Sequence, residues 1–164
     1  MPRGNLCLFP DPILRQKAAS VASFDRALAV TLKKMYRLMK SQPSGIGIAA
    51  PQIGISKRIA LVDVSARVAG ARLLTLVNPE ILELAEPRAS REGCMSLPDY
   101  TANLVRYNRI RFKWQDAEGV WHEQVSAGIE AVCVQHEVDH LNGVLFLDRV
   151  ASLKRDMIPR PRPH

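Results

Sequence analysis

The chain has 164 residues, with 23 Lys+Arg against 16 Asp+Glu, a net charge of +7, four His and three Cys. That length fits one domain, large enough to bury a core without disulfides or partners. With 47% hydrophobic and 24% charged residues it reads as ordinary globular usage, and no run approaches the ~20 apolar residues of a membrane span.

The opening segment, Met1 to Pro10, holds only a short apolar stretch, Leu6-Cys7-Leu8-Phe9, and no small-residue cleavage site follows, so no signal peptide is expected. Cys7, Cys94 and Cys133 are odd in number and irregularly spaced, which argues against a disulfide framework and for a reducing, cytoplasmic setting. The positive surplus contains no block of five Lys/Arg, and aromatics are only 5%. It is read as a solvated basic surface rather than a specific nucleic-acid site.

Ser23 or Asp25 can cap a helix in which Leu28, Leu32, Met35 and Met39 recur at helical spacing, with Lys33, Lys34, Arg37 and Lys40 outward. Gln42-Pro43-Ser44-Gly45 stops it. Strands are expected at 58–64, 72–78 and 81–86, with turns at Ala69-Gly70 and Asn78-Pro79. The segment 105–114 alternates, with Ile110, Phe112 and Trp114 on one face and Arg109, Arg111 and Lys113 on the other. Asp116-Ala117-Glu118-Gly119 turns it, and 120–125 can pair back. From Gly128 to Leu141 the period becomes helical, and Gly143 ends the helix. A helix, several strands and one late helix make an α+β order. One domain is expected over 1–158, followed by a Pro/Arg-rich tail over 159–164 whose prolines forbid helix and whose arginines favour solvent.

The strongest chemical signal is His136-Glu137-Val138-Asp139-His140. Histidines at i and i+4 share a helical face, close enough for both to ligate one metal, and the Glu after the first can take a proton from water beside it. A hydrolytic metal centre needs a third protein ligand. Downstream only Asp148, Asp156 and His164 could serve; upstream stands Glu92-Gly93-Cys94-Met95-Ser96, where the glycine allows a tight turn that presents a thiolate. Cys94 alone would read as a buried small hydrophobe; beside an incomplete His pair it reads as the third ligand. The segment Gly45-Ile46-Gly47-Ile48-Ala49-Ala50-Pro51-Gln52 lacks the ending of a phosphate loop. Its glycines would admit an extended peptide at a sheet edge, with Gln52 as a neutral amide donor, or simply make a packing turn.

Three ordered motifs, Gly45–Gln52, Glu92–Ser96 and Gln135–His140, resemble those of the peptide deformylase family over about residues 5–155. The resemblance implies mixed or antiparallel sheets packed around a central helix carrying His136 and His140. It implies Cys94, His136 and His140 as ligands of one divalent ion, Fe²⁺ in the cell and exchangeable for Zn²⁺, Ni²⁺ or Co²⁺. The activity implied is removal of the formyl group from N-formylated, formyl-methionyl nascent peptides, with Glu137 as general base and then acid. Gln52 and the Met95 N–H would face the oxyanion and Gly47 the substrate main chain, while Gly45, Ile46, Ile129, Val132 and Cys133 would line the methionine pocket. A monomer in the bacterial cytoplasm is expected, with at most weak ribosome association, because Pro159 follows soon after Lys154-Arg155 where relatives continue a docking helix. Two positions depart from the family. It often places an arginine where Pro98-Asp99-Tyr100-Thr101 stands, and a larger apolar residue at Ser90. The alternatives are a divergent paralog with an altered substrate, a His-Glu-x-x-His endopeptidase, and a non-catalytic ribosome- or RNA-associated binding protein.

Overall fold

The computed structural model describes residues 5–43 and 45–161. Helix α1 spans Arg26–Ser41 and starts where the Asp25 carboxylate accepts from the Leu28 N–H at 3.1 Å. That choice between Ser23 and Asp25 follows from capping, since an N-cap oxygen satisfies an N–H left orphaned in the first turn. Leu28, Met35 and Met39 are buried, Leu32 packs beside them, and Lys33, Lys34, Arg37 and Lys40 are exposed.

Six strands form one sheet: β1 (Gly47–Ala49), β2 (Ile59–Val62), β3 (Leu74–Cys94), β4 (Leu97–Gln115), β5 (Trp121–Ala127) and β6 (Met157–Pro159). Their order is β1-β2-β3-β4-β5, with β6 also on β4, and every strand pairing is antiparallel. The period of two places the layers. Along β2, Ile59 and Leu61 pack with the α1 stripe, while Ala60 and Val62 face a second core with Val134, Val138 and Leu141. Those residues belong to α2 (Gly128–Leu141), so α1 and α2 cover opposite faces of the sheet. Gly128 makes the turn from β5 into α2 at φ 64°, a backbone that disfavours any side chain.

Two expectations are corrected. The strands expected at 72–78 and 81–86 are one strand, β3, which runs on into the cysteine motif. Asn78 does not turn the chain; it sits at φ 50° in a bulge where the β3–β4 register shifts. Its amide exchanges hydrogen bonds with the Val21 backbone and donates to Gln115 Oε1 at 2.8 Å, so tertiary partners hold the bulge in place. The second correction concerns the tail. Ser152 caps a four-residue helix α3 (Leu153–Asp156), and β6 then pairs Met157, Ile158 and Pro159 with Ala102, Thr101 and Tyr100. Proline is tolerated because β6 lies on the sheet's edge. Pro159 and Arg160 are therefore anchored; residues 162–164 lie outside the described residues. No described helix is long and apolar enough to cross a membrane.

Candidate metal centre

Helix α2 is keyed to β4 by one side chain. β5 covers β4 from Arg109 to Gln115 and β6 covers Tyr100 to Ala102, which leaves Tyr107 between them. The Gln135 amide takes the place of a strand there: Oε1 accepts from the Tyr107 N–H at 3.0 Å and Nε2 donates to its carbonyl at 2.7 Å. This sets α2 in register with the sheet, and the next residue along the helix is His136.

Cys94 stands at the end of β3, and Met95-Ser96 form the turn into β4. One ligand atom each from Cys94, His136 and His140 lies within 4.8 Å of the others, and the Cys94 sulfur is 3.3 Å from His140 Nε2. Tetrahedral sulfur and nitrogen ligands around one ion stand about 3.3–3.6 Å apart, so the three donors fit a divalent cation. The sequence thus brings together its three predicted ligands.

Beneath them is a charged floor. Glu92 Oε1 accepts from His136 Nδ1 at 2.9 Å, which leaves Nε2 as the nitrogen available to an ion. Arg106 forks onto Glu92 at 2.8 and 3.0 Å and reaches Asp139 at 2.6 Å; Arg149 closes on Asp139 at 2.5 and 2.7 Å. Burial alone would raise the Glu92 pKa, but hydrogen bonds from His136 and Arg106 hold it down to about 2. Two carboxylates and two guanidiniums leave the floor neutral. Of this floor, Glu92 and Asp139 lay inside quoted motifs, but Arg106 and Arg149 were missed. The signal for Arg106 was its parity: it shares the inward face of β4 with Ile110, Phe112 and Trp114, a lone charge among apolar neighbours.

Glu137 is 3% exposed, and its Oε2 and His140 Nδ1 are the two buried side-chain atoms among the described residues without a protein partner. Burial is the main cause that lifts Glu137 to about 7; Glu92 and Asp139 add to the rise, and His136 and Arg106 oppose it. Gln52 is buried beside Cys94. Its Oε1 accepts from the Ala49 N–H at 2.9 Å, and its Nε2 donates to Ser96 Oγ at 3.1 Å and lies 3.7 Å from the Cys94 sulfur. Ser96, which closes the Glu92–Ser96 motif but was given no role, passes this on to the Cys7 carbonyl at 2.7 Å.

The centre opens into a cleft of about 1580 Å³, lined by Gly45, Ile46, Gly47 and Met95 on one side and Ile129, Val132 and Cys133 on another. It exceeds the few hundred Å³ of a small-molecule pocket and has room for several residues of peptide. Of the two readings of the glycines, packing is met directly. A Cβ on Gly47 would stand 2.6 Å from Glu137 Oε1 and 2.7 Å from the Cys133 sulfur, and one on Gly45 would strike the Met39 carbonyl. Both glycines thus let β1 press against helices. β1 is nonetheless a terminal strand of the sheet, with β2 on one side only. Ser90 lies in the cleft and donates to Glu92 at 3.3 Å instead of walling an apolar pocket.

Two imidazoles and a cysteine sulfur on a buried helix and hairpin, with a carboxyl that burial lifts to about 7, fit a metal-dependent hydrolase. The family model described as polypeptide deformylase matches residues 4–156. A peptide deformylase of Mesorhizobium japonicum is 43% identical over 159 residues, covering 96% of this chain and 90% of that one. The crystal structure of peptide deformylase from Thermotoga maritima superposes with a TM-score of 0.83 at 40% identity, covering 90% of this chain and 97% of that one. The Met-Ala-Ser-bound class I type b peptide deformylase of Acinetobacter baumannii gives 0.81 at 36%, covering 88% and 96%. The chain belongs to the polypeptide deformylase family, whose members remove the formyl group from N-terminal methionine in a metal-dependent reaction.

Proposed function

We propose that Cys94, His136 and His140 hold the metal and that Glu137 moves the protons of deformylation. When bound, the ion supplies Lewis acidity, polarising the formyl oxygen and acidifying water at the centre. Glu137 takes a proton from the water that attacks the formyl carbon and delivers it to the departing amine. A carboxyl with a pKa of about 7 suits both tasks near neutral pH. Gln52 Nε2 and the Met95 N–H stabilise the charge that develops on the formyl oxygen, each donor contributing about 2.7–4 kcal/mol. Ile46, Ile129, Val132 and Cys133 bury the methionine side chain, and the peptide adds along the free edge of β1 at Gly45–Gly47. A close wall beyond the formyl carbon admits hydrogen and rejects the methyl of an acetyl group.

The observation that carries this reading is the Glu137 carboxyl, unpartnered at Oε2 beside three convergent donors, at the head of a peptide-sized cleft. Fe²⁺ is the proposed ion in the cell, with Zn²⁺, Ni²⁺ and Co²⁺ able to replace it, since a thiolate with two imidazoles suits all four. The setting proposed is the bacterial cytoplasm, as a monomer with weak ribosome contact at most. The test is formate release from formyl-Met-Ala-Ser by metal-analysed protein, beside acetyl-Met-Ala-Ser and an unblocked protein substrate. Only the formylated peptide is expected to turn over. Glu137→Ala should keep its metal and lose about 10²–10⁴ in rate. Unimpaired turnover in that variant, or cleavage of internal peptide bonds by the wild type, would overturn the assignment.

A further inference from the structure

The walls of the cleft carry four arginines: Arg67 from the loop after β2, Arg88 and Arg91 from β3, and Arg160 just beyond β6. Among the described residues none of them forms an ion pair. Their side-chain contacts are with neutral groups. Arg88 Nη1 donates to Asn108 Oδ1 at 3.0 Å, and Arg91 Nη2 to Thr101 Oγ1 at 3.3 Å. Three carboxylates line the same cleft. Glu92 is engaged by Arg106 and His136, and Glu137 is buried beside the proposed metal ligands, so Asp99 is the one exposed carboxylate of the three.

Arg160 is held in place by three elements. Its N–H donates to the Asp99 carbonyl at 2.8 Å, directly after β6 has paired with Tyr100–Ala102. Gly93 lies beneath its guanidinium, and a Cβ there would fall on Arg160 Nη2. Thr101, opposite Gly93 across the hairpin, is the residue that Arg91 reaches. Two guanidiniums from distant parts of the chain therefore converge on the strand segment that ends in Cys94.

We propose that Arg91 and Arg160, with Arg88 further along β3, read carboxylates on the substrate and favour formylated peptides with acidic side chains shortly after the methionine. The inference rests on the deformylase reading of the cleft. An extended peptide advances about 3.3 Å per residue, so the second to fourth residues pass the arginines once the formyl group is at the metal ligands. The planar fork of arginine matches a carboxylate in geometry as well as charge. A nucleic acid fits less well, because no Phe, Tyr or Trp is among the described residues lining the cleft and bases would find no stacking surface.

The experiment compares formate release from amide-capped formyl-Met-Ala-Ala-Ala, formyl-Met-Ala-Asp-Asp and formyl-Met-Ala-Lys-Lys, with uncapped formyl-Met-Ala-Ala to separate a terminal carboxylate from side-chain ones. At about 50 mM salt the Asp peptide is expected to exceed the Lys peptide by about three- to tenfold in kcat/KM, mostly through KM, and to converge with it near 500 mM. Arg160→Gln and Arg91→Gln should each shrink that ratio, the double variant should abolish it, and Arg160→Lys should keep most of it. Calorimetry with the unformylated product Met-Ala-Asp-Asp-amide should show the same order of binding. An unchanged Asp/Lys ratio in the double variant, a ratio indifferent to salt, or a preference only for the free terminus would overturn the proposal. So would inhibition by a short RNA that the double variant relieves while the peptides stay equal. Formate release from the neutral capped peptide tests the deformylase reading separately, since it does not depend on the arginines' preference.

Discussion

The floor under the metal ligands and the rim above them are built from the same residue type and behave in opposite ways. Arg106 in the floor is 3% exposed and bonds both Glu92 and Asp139, and the more exposed Arg149 on Asp139 completes the charge balance. Arg88, Arg91 and Arg160 on the rim have neutral contacts and share the cleft with a single exposed carboxylate. Burial makes the difference. A charge taken out of water must be matched on the spot, and the matching then fixes geometry, whereas a charge left at the surface keeps its field available to whatever enters. The floor therefore orients ligands and the rim is free to select.

The sharpest way to break this contrast is to truncate one arginine from each layer. Arg106→Ala leaves Glu92 with His136 and Ser90 and Asp139 with Arg149 alone, removing the cation between them, and should cost about 3–5 kcal/mol in urea unfolding, while Arg88→Ala should stay within about 0.5 kcal/mol. Equal losses would mean that the two layers are not energetically distinct. A gentler change, Glu92→Gln, keeps an acceptor for His136 but removes the charge; metal affinity, read by competition with a chelator, should fall about 10–100-fold. A smaller loss than that of Arg106 is expected at a half-exposed pair of intermediate character. Lys40 Nζ bonds Asp63 at 2.8 Å, with the lysine 39% and the aspartate 8% exposed. The Lys40 hydrogen bond, with Ser65, lowers the Asp63 pKa to about 2 from 3.8. A depressed carboxylate stabilises the fold above its unfolded pKa, and that contribution disappears as pH falls from about 4 to 2. Lys40→Met should cost about 1 kcal/mol at neutral pH after allowance for screening, with the gap to wild type closing toward pH 2 in acid titrations.

What the sequence made legible follows the same division between local and distant causes. Helix α2 and its histidines could be read because spacing on one helix is a local property, and Cys94 because an incomplete ligand set asks for a donor. The start of α1 was narrowed to Ser23 or Asp25 for the same reason, and the bond from the Leu28 N–H decides for Asp25. β3 was split at Asn78-Pro79 because the dipeptide is a turn signal in isolation; the hydrogen bonds that turn it into a bulge come from Val21 and Gln115, far away in the chain. Arg160 was assigned to a solvated tail because its composition gave no sign of the pairing with Tyr100–Ala102. The glycines of the first motif left a substrate edge and a packing turn both open, because their nearest neighbours, Glu137, Cys133 and the end of α1, lie far away in the chain or across the stop that ends the helix.

The clasp between Gln135 and the Tyr107 backbone bears on how the centre acquires its ion. Helix and hairpin are aligned by an amide that needs no cation, and the floor fixes one imidazole before anything binds. Cys94, His136 and His140 would thus receive an ion as a finished seat, unlike the ligands of a zinc finger, which the metal gathers. Removing an ion from such a seat would silence the chemistry while the architecture stands.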